Sequence, residues 1–392
     1  MSISWRENLA SSTPKGVYDH VRTKEDCDNY VNTVLAALAL INVFRWNEGD
    51  RKLDPEVKFG VGRRMGTSDK NRVSPSTTIT PDVVLQRKEI GIVGEITNSL
   101  TETDSYWSEK LKQIVKYDDA LTGWWTTDEK LASHDIAFLV PHSRAVRVSD
   151  ILTKERDDEE GLIKFSRPTA VIGFHRHSGA TKEFINLMKF FGSLSDADLS
   201  ERLRHGIPVP QDILIVEYGD RKFVDFEPPM AYVLQLMWDN LFPSYLSEFP
   251  HDESTKGQTP LTLKLERIFQ DMQNNFGFKV RDARCTAVPE RVWIKKALDH
   301  LVVFGMASQD DEKTYTIRYK SLRGDHLERF GELIQRNTGK LALSASKAQP
   351  VFPEMEKTAK ADPVSEGMPP SVTTEATPEK ASETPPKTKG TK

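Results

Sequence analysis

Thr80–Leu100 reads TPDVVLQRKEIGIVGEITNSL, and this stretch decides the fold class. Two runs rich in valine and isoleucine flank the short polar piece Arg87-Lys88-Glu89, the pattern of two strands joined by a tight turn. Side chains along a strand alternate between faces, so Glu95 and Thr97 point the same way, and antiparallel pairing through the turn brings Asp82 beside Glu95. A carboxylate pair at strand ends suits a hard divalent cation such as magnesium, which takes one or two carboxylates and completes its shell with water.

Working outward, Val31, Val34, Leu35, Leu38 and Ile41 recur at helical spacing after Thr23, Glu25 and Asp26, which predicts a helix from Lys24 to about Gly49. Further strands are expected at EVKFGVG (56–62), DIAFLVP (135–141), TAVIGFH (169–175) and DILIVEY (212–218), with a long helix over SEKLKQIVKYDDAL (108–121). Helix, several strands, helix and further strands make an α/β chain. Pro228–Leu246 reads as another apolar helix, interrupted by Pro243.

Composition narrows the function classes. The 392 residues are 38% hydrophobic and 29% charged, and the longest apolar run, Val34–Phe44, is about half the roughly 20 residues of a bilayer span. No membrane role is expected, and Met1–Pro14 lacks the apolar centre of a signal peptide. Two cysteines, Cys27 and Cys285, provide neither a disulfide framework nor a zinc site, which points to a reducing, cytoplasmic compartment. Residues 1–255 sum to -9 and residues 256–340 to +5, so a basic module follows an acidic body and suits a polyanion or an ordinary solvated surface. The expected organisation is a body at 1–250, a linker at 251–260, a basic module at 261–340 and a Pro/Thr/Ser-rich disordered tail at 341–392.

Pro81-Asp82, a short strand and Glu95-Ile96-Thr97, followed by Gln113 and Tyr117 in QxxxY spacing, resemble the PD-(D/E)xK superfamily of nucleases and its RecB-like members. The resemblance covers about residues 24 to 140. It implies a restriction-endonuclease-like core, a mixed sheet flanked by helices, that hydrolyses phosphodiester bonds with Mg2+ or Mn2+. Asp82, Glu95 and the Ile96 carbonyl then hold the metal, and Gln113 and Tyr117 position the substrate. The family's lysine belongs where Thr97 stands, and a threonine hydroxyl carries no positive charge for an anionic transition state. On a wheel of about 100° per residue, Val115 and Ile114 mark the core face and Lys110 is the one lysine sharing a face with Gln113 and Tyr117, which makes it the replacement candidate. The family's usual acid from the first helix has Glu25, Asp26 and Asp28 as candidates, with Glu25 of the usual type, although acids there also compensate the helix dipole. Arg63 and Arg64 can meet phosphate as bidentate donors or lie in a solvated loop. The alternative implied by Thr97 is a catalytically inactive nuclease-fold protein that binds nucleic acid or protein.

Within the basic module, LTLKLERIFQDMQNNFG (261–277) reads as a helix, PERVWIKKALDHLVVFG (289–305) as a second opened by Pro289, and MASQ-DDEK-TYTIRYK as a hairpin. Helices followed by a two-stranded hairpin resemble a winged helix, which implies a nucleic-acid partner, DNA foremost, or a protein partner. In a DNA reader Arg291 and Lys295, four apart on one face, meet phosphates or bases, while Asp310, Asp311 and Glu312 at the hairpin tip repel them. Val292, Ala297, Leu298 and Leu301 are the expected buried stripe.

Other signals carry less. His175 and His177 share a strand face without an evident carboxylate or cysteine partner, Gly60, Gly62 and Gly66 match neither phosphate-loop fingerprint, and carboxylates around Cys27 raise rather than lower its pKa.

Overall fold

The hairpin within Thr80–Thr97 supplies two neighbouring strands of a seven-stranded mixed sheet, toward the edge formed by Lys58–Val61. The computed structural model describes residues 20–47, 49, 51–67, 78–97, 114–125, 131, 133–157, 165–178, 182–249, 258–278 and 288–321, all within one compact unit, Met1–Lys347. In chain order the elements begin with α1 (His20–Arg45), β1 (Trp46–Asn47), β2 (Lys52–Leu53), β3 (Lys58–Val61), β4 (Met65–Thr67), β5 (Thr78–Ile79), β6 (Val83–Arg87) and β7 (Ile90–Ile96). A 3-10 turn at Lys116–Asp118 leads to β8 (Leu121–Thr122), β9 (Ser133–Pro141), α2 (His142–Asp157), β10 (Thr169–Ser178) and β11 (Glu183–Gly192). There follow α3 (Ala197–His205), β12 (Ile207–Pro210), α4 (Gln211–Tyr218) and α5 (Met230–Leu236). Beyond these lie β13 (Thr259–Lys264), α6 (Leu265–Phe276), α7 (Arg291–Val303), β14 (Ala307–Asp311) and β15 (Thr314–Tyr319).

The strand order is β12-β11-β10-β9-β7-β6-β3. Strands β3, β6 and β7 form an antiparallel meander, β7, β9 and β10 run parallel, and β11 and β12 continue antiparallel. Arg87 pairs with Ile90 across a two-residue turn in which Lys88 takes a φ of 53°, so the register is set at the hairpin and carried to Val83↔Gly94.

The sheet is apolar on both faces. One packs on α1 through Val83, Leu85, Ile92, Ile96, Leu139, Ile172 and Phe174. The other packs on α2 and the 3-10 turn through Val84, Val93, Phe138, Val140 and Val171. Helix α1 contains a 22-residue stretch, Lys24–Arg45, that meets the length and hydropathy of a membrane span, and 78% of its most apolar window is buried inside the fold. Burial, with Asp28 and Asp26 adding, pushes the Cys27 thiol up to about 12.

The C-terminal elements share the core that contains α1 and α5. Phe223 stacks on Trp293 at 6.2 Å, Trp238 meets Tyr319 at 5.3 Å, and the Trp238 indole N–H donates to the Lys320 carbonyl (2.9 Å). Strand β13 begins at Thr259, inside the span read as a linker; residues 250–257 and everything beyond Ser321 lie outside the described residues.

Four local expectations give way. Residues 211–218 are a helix, not a strand: Leu214 and Tyr218, four apart, are buried, while Ile213, Ile215 and Val216 are exposed, and Gly219 at φ 68° ends the helix. Residues 259–264 are a strand rather than the start of a helix, with Leu261 and Leu263 buried between exposed Thr262 and Lys264. Helix α7 starts at Arg291 with Glu290 as its cap residue, so Pro289 precedes the helix. Its buried stripe is Trp293, Ile294, Ala297, Leu298 and Leu301, and Val292 faces outward.

Candidate metal centre

Val83↔Gly94 is the last registered pair of the hairpin, and the next position sets Asp82 across from Glu95. Both carboxylates are buried, Asp82 6% and Glu95 1% exposed. The Ile96 backbone N–H donates to Asp82 Oδ2 (2.6 Å), which fastens the two strand ends. The Tyr117 hydroxyl donates to Glu95 Oε2 (2.6 Å). A hydroxyl–carboxylate bond of that length fixes the plane of the carboxyl group.

Tyr117 reaches Glu95 because of the 3-10 turn. At three residues per turn Ile114 and Tyr117 stack on one face, and both are buried against Val84, Val93 and Phe138. The wheel of 100° per residue fails here: Val115, placed on the core face, is 36% exposed. Behind the turn His134, 2% exposed at the start of β9, sets Nε2 2.7 Å from the Tyr117 carbonyl oxygen. A carbonyl only accepts, so this nitrogen carries the proton. Burial pulls the imidazole pKa down to about 4, which leaves it neutral at pH 7. Asp118 extends the clamp, accepting from the backbone N–H groups of Ser166 and Arg167 (2.9 Å each).

Thr97, in the family's lysine position, is 1% exposed, and its backbone N–H donates to the Leu139 carbonyl (3.0 Å). Lys110 and Gln113 lie outside the described residues. Glu25 is exposed near the start of α1, whereas Tyr30, five residues further on, is fully buried, and burial, with the Asp82 charge adding, holds its phenol protonated. Its hydroxyl oxygen accepts from the Val224 N–H (3.2 Å). Arg63 is 2% exposed: its Nε and Nη2 donate to the Gly123 carbonyl (2.9 and 2.6 Å), and its guanidinium stacks 3.8 Å over Trp125. Those bonds hold the 121–125 segment against β3–β4, while Arg64 is exposed. In the C-terminal module Arg291 pairs with Glu266 (3.4 Å) and Lys295 with Asp299 (2.7 Å).

The donor set fits a hard cation. Asp82, Glu95 and the Ile96 carbonyl would offer oxygens only, the donor type that magnesium or manganese takes. Among the described residues no group of three or more His, Cys, Asp or Glu side chains is placed to hold a metal ion. Sequence reasoning missed His134 and Tyr30; the one visible signal for His134 was a histidine opening an otherwise apolar strand, SHDIAFLVP. No family model, curated protein or solved structure matches this chain.

Proposed function

We propose that the protein is a metal-dependent nuclease of PD-(D/E)xK type that hydrolyses phosphodiester bonds, with DNA as the foremost substrate. The observation that carries this reading is the buried Asp82–Glu95 pair on adjacent strand ends with the Tyr117 hydroxyl on Glu95. A sheet order with a three-stranded meander followed by a parallel strand, on a helix preceding the first strand, agrees with a restriction-endonuclease-like core. A bound magnesium ion supplies charge neutralisation at the scissile phosphate and a more acidic water.

The chain's own groups divide the remaining work. Asp82 and Glu95 supply the negative charge that selects a divalent cation, and the Ile96 carbonyl supplies a neutral oxygen. Tyr117 holds the Glu95 carboxylate in one orientation, and His134 holds the backbone of Tyr117. Lys110 is proposed to stand in for the missing lysine and Gln113 to orient the substrate. The C-terminal module, with helices α6 and α7 and the β14–β15 hairpin against β13, is read as a winged helix that recruits nucleic acid or a protein, in the cytoplasm.

A second reading has its own support: buried, uncharged Thr97 in the lysine position favours a nuclease fold that binds without cutting. Incubation of linear, circular and single-stranded DNA and of RNA with Mg2+ or Mn2+ separates the two. Cleavage that needs the metal and disappears in Glu95→Ala supports the nuclease. No cleavage of any substrate by the folded, metal-supplied wild type supports the binder.

A further inference from the structure

Outside the carboxylate pair, a cleft of about 600 Å³ lies between α1 and the end of the parallel strands. Asn29, Asn32 and Thr33 reach it from α1, and Phe174 and Arg176 reach it from β10. Phe174 belongs to the core that packs on α1, and Arg176, two residues on, points from that same face of the sheet, toward the helix amides. Pro141, the last residue of β9, borders the cleft as well. Glu95 aligns with Phe138 on β9, so three residues at about 3.3 Å and one strand spacing of about 4.8 Å set Pro141 about 11 Å from Glu95. The cleft thus opens at the C-terminal end of a parallel strand, where open α/β sheets bind ligands.

Two covered polar atoms of these lining residues, Asn32 Oδ1 and Arg176 Nε, have no hydrogen-bond partner. The first only accepts and the second only donates, so an occupant that presents a donor beside an acceptor satisfies both. That occupant is uncharged. Glu183 takes up the Arg176 guanidinium at 2.5 Å, and Glu25, Asp26 and Asp28 on α1 and Asp150 on α2 oppose an anion. Phe174 and Pro141 supply apolar walls, so a flat heterocycle with a polar edge suits the cleft. Adenine has that edge: its N6 amine, the donor, lies between the ring acceptors N7 and N1, and a carboxamide pairs with N6–H and N7 in two bonds. Thymine and guanine present a carbonyl oxygen where adenine has the amine, and that oxygen would face Asn32 Oδ1 with no proton between them.

We propose that this cleft takes an adenine base of the nucleic-acid strand whose scissile bond lies at Asp82 and Glu95, with Asn32 as the side chain that selects it. The base's place along the strand rests on the nuclease reading of that pair: about 11 Å is the length of about three nucleotides at roughly 3.4 Å each. Base selection is testable apart from cleavage. Labelled single strands of about 20 deoxyadenosines or about 20 thymidines are bound to the full chain in EDTA, with the wild type and with Asn32→Leu. The wild type binds the adenine strand about tenfold tighter than the thymine strand, and Asn32→Leu binds the two alike. Free adenosine and thymidine added as competitors repeat the comparison on the wild type alone, so the result does not depend on how the variant folds. Adenosine displaces the adenine strand at a concentration at which thymidine does not.

Equal binding of the two strands by the wild type overturns the adenine pocket. So does a preference that Asn32→Leu keeps, which would place the selection elsewhere, or displacement by thymidine as readily as by adenosine. Metal-dependent cleavage lost in Glu95→Ala, together with no preference for the adenine strand, overturns the pocket and leaves the nuclease standing. An Asn32-dependent preference in a wild type that cuts nothing sustains the pocket and removes the nuclease.

Discussion

Lowering the pH puts a proton where the fold has no room for one. His134 is 2% exposed and bonded to the Tyr117 carbonyl, and burial lowers its pKa from 6.5 to about 4. The folded state holds it neutral down to that value, while the unfolded chain takes up the proton below about 6.5. The sign follows: stability from the neutral imidazole is complete above pH 6.5 and is lost as the pH falls toward 4. Between pH 8 and pH 5 the loss amounts to about 2 kcal/mol. Neighbouring Asp135 acts in the opposite direction, because burial raises its pKa and protonation on acidification favours the fold, despite bonds from the Ser195 N–H (2.7 Å) and hydroxyl (2.6 Å). A difference between two proteins that both keep Asp135 removes that contribution. His134→Gln is suitable, since the glutamine amide N–H reaches about where Nε2 stands and has no proton to gain. Urea unfolding of wild type and His134→Gln at pH 8 and pH 5 reads the effect. The stability advantage of wild type over the variant should shrink by about 2 kcal/mol at the lower pH. Parallel pH profiles for the two proteins would refute the claim that His134 is buried neutral beneath Tyr117.

Tyr117→Phe removes the hydroxyl that donates to Glu95 and leaves the ring packing; a hydrogen bond to a charged group is worth about 1.5–3 kcal/mol, so Mn2+ affinity should fall roughly ten- to a hundredfold with little change in near-UV circular dichroism. An unchanged affinity would separate Tyr117 from the site. Gly277 closes α6 against the segment before α7, where an added Cβ would stand 1.8 Å from the Val288 carbonyl oxygen; Gly277→Ala should cost about 1–3 kcal/mol in urea unfolding, and no cost would contradict that close approach.

The central hairpin was legible because three signals agreed: β-branched runs, a polar turn of the right length, and period-two alternation that set Asp82 opposite Glu95. The helix at 211–218 was not. Its five consecutive residues Ile213–Glu217 fit a strand by composition, and only the burial of Leu214 and Tyr218 four apart distinguishes a helix. Strand β11 (EFINLMKFFG) and helix α2 gave no reading in advance, since neither shows a clean period: β11 has polar Asn186 and Lys189 within an apolar run, and α2 alternates charge with isolated valine and leucine. At the candidate site, strand parity set the carboxylates side by side and the family resemblance pointed to Tyr117, whereas the route by which Tyr117 arrives was not legible. A 3-10 turn changes the angular step, and the wheel that put Val115 inside was drawn for a helix that ends at that point. Arg63 was read as a phosphate donor, and its burial under Trp125 depends on a contact with Gly123 sixty residues away, which no local pattern carries.

The proposed divalent-cation centre at Asp82 and Glu95 is tested, without presuming a substrate, by Mn2+ binding followed by electron paramagnetic resonance. Wild type should bind one ion per chain at the site, and Asp82→Asn and Glu95→Gln should each lose it while remaining folded. Equal Mn2+ binding by all three proteins would remove Asp82 and Glu95 as a cation centre.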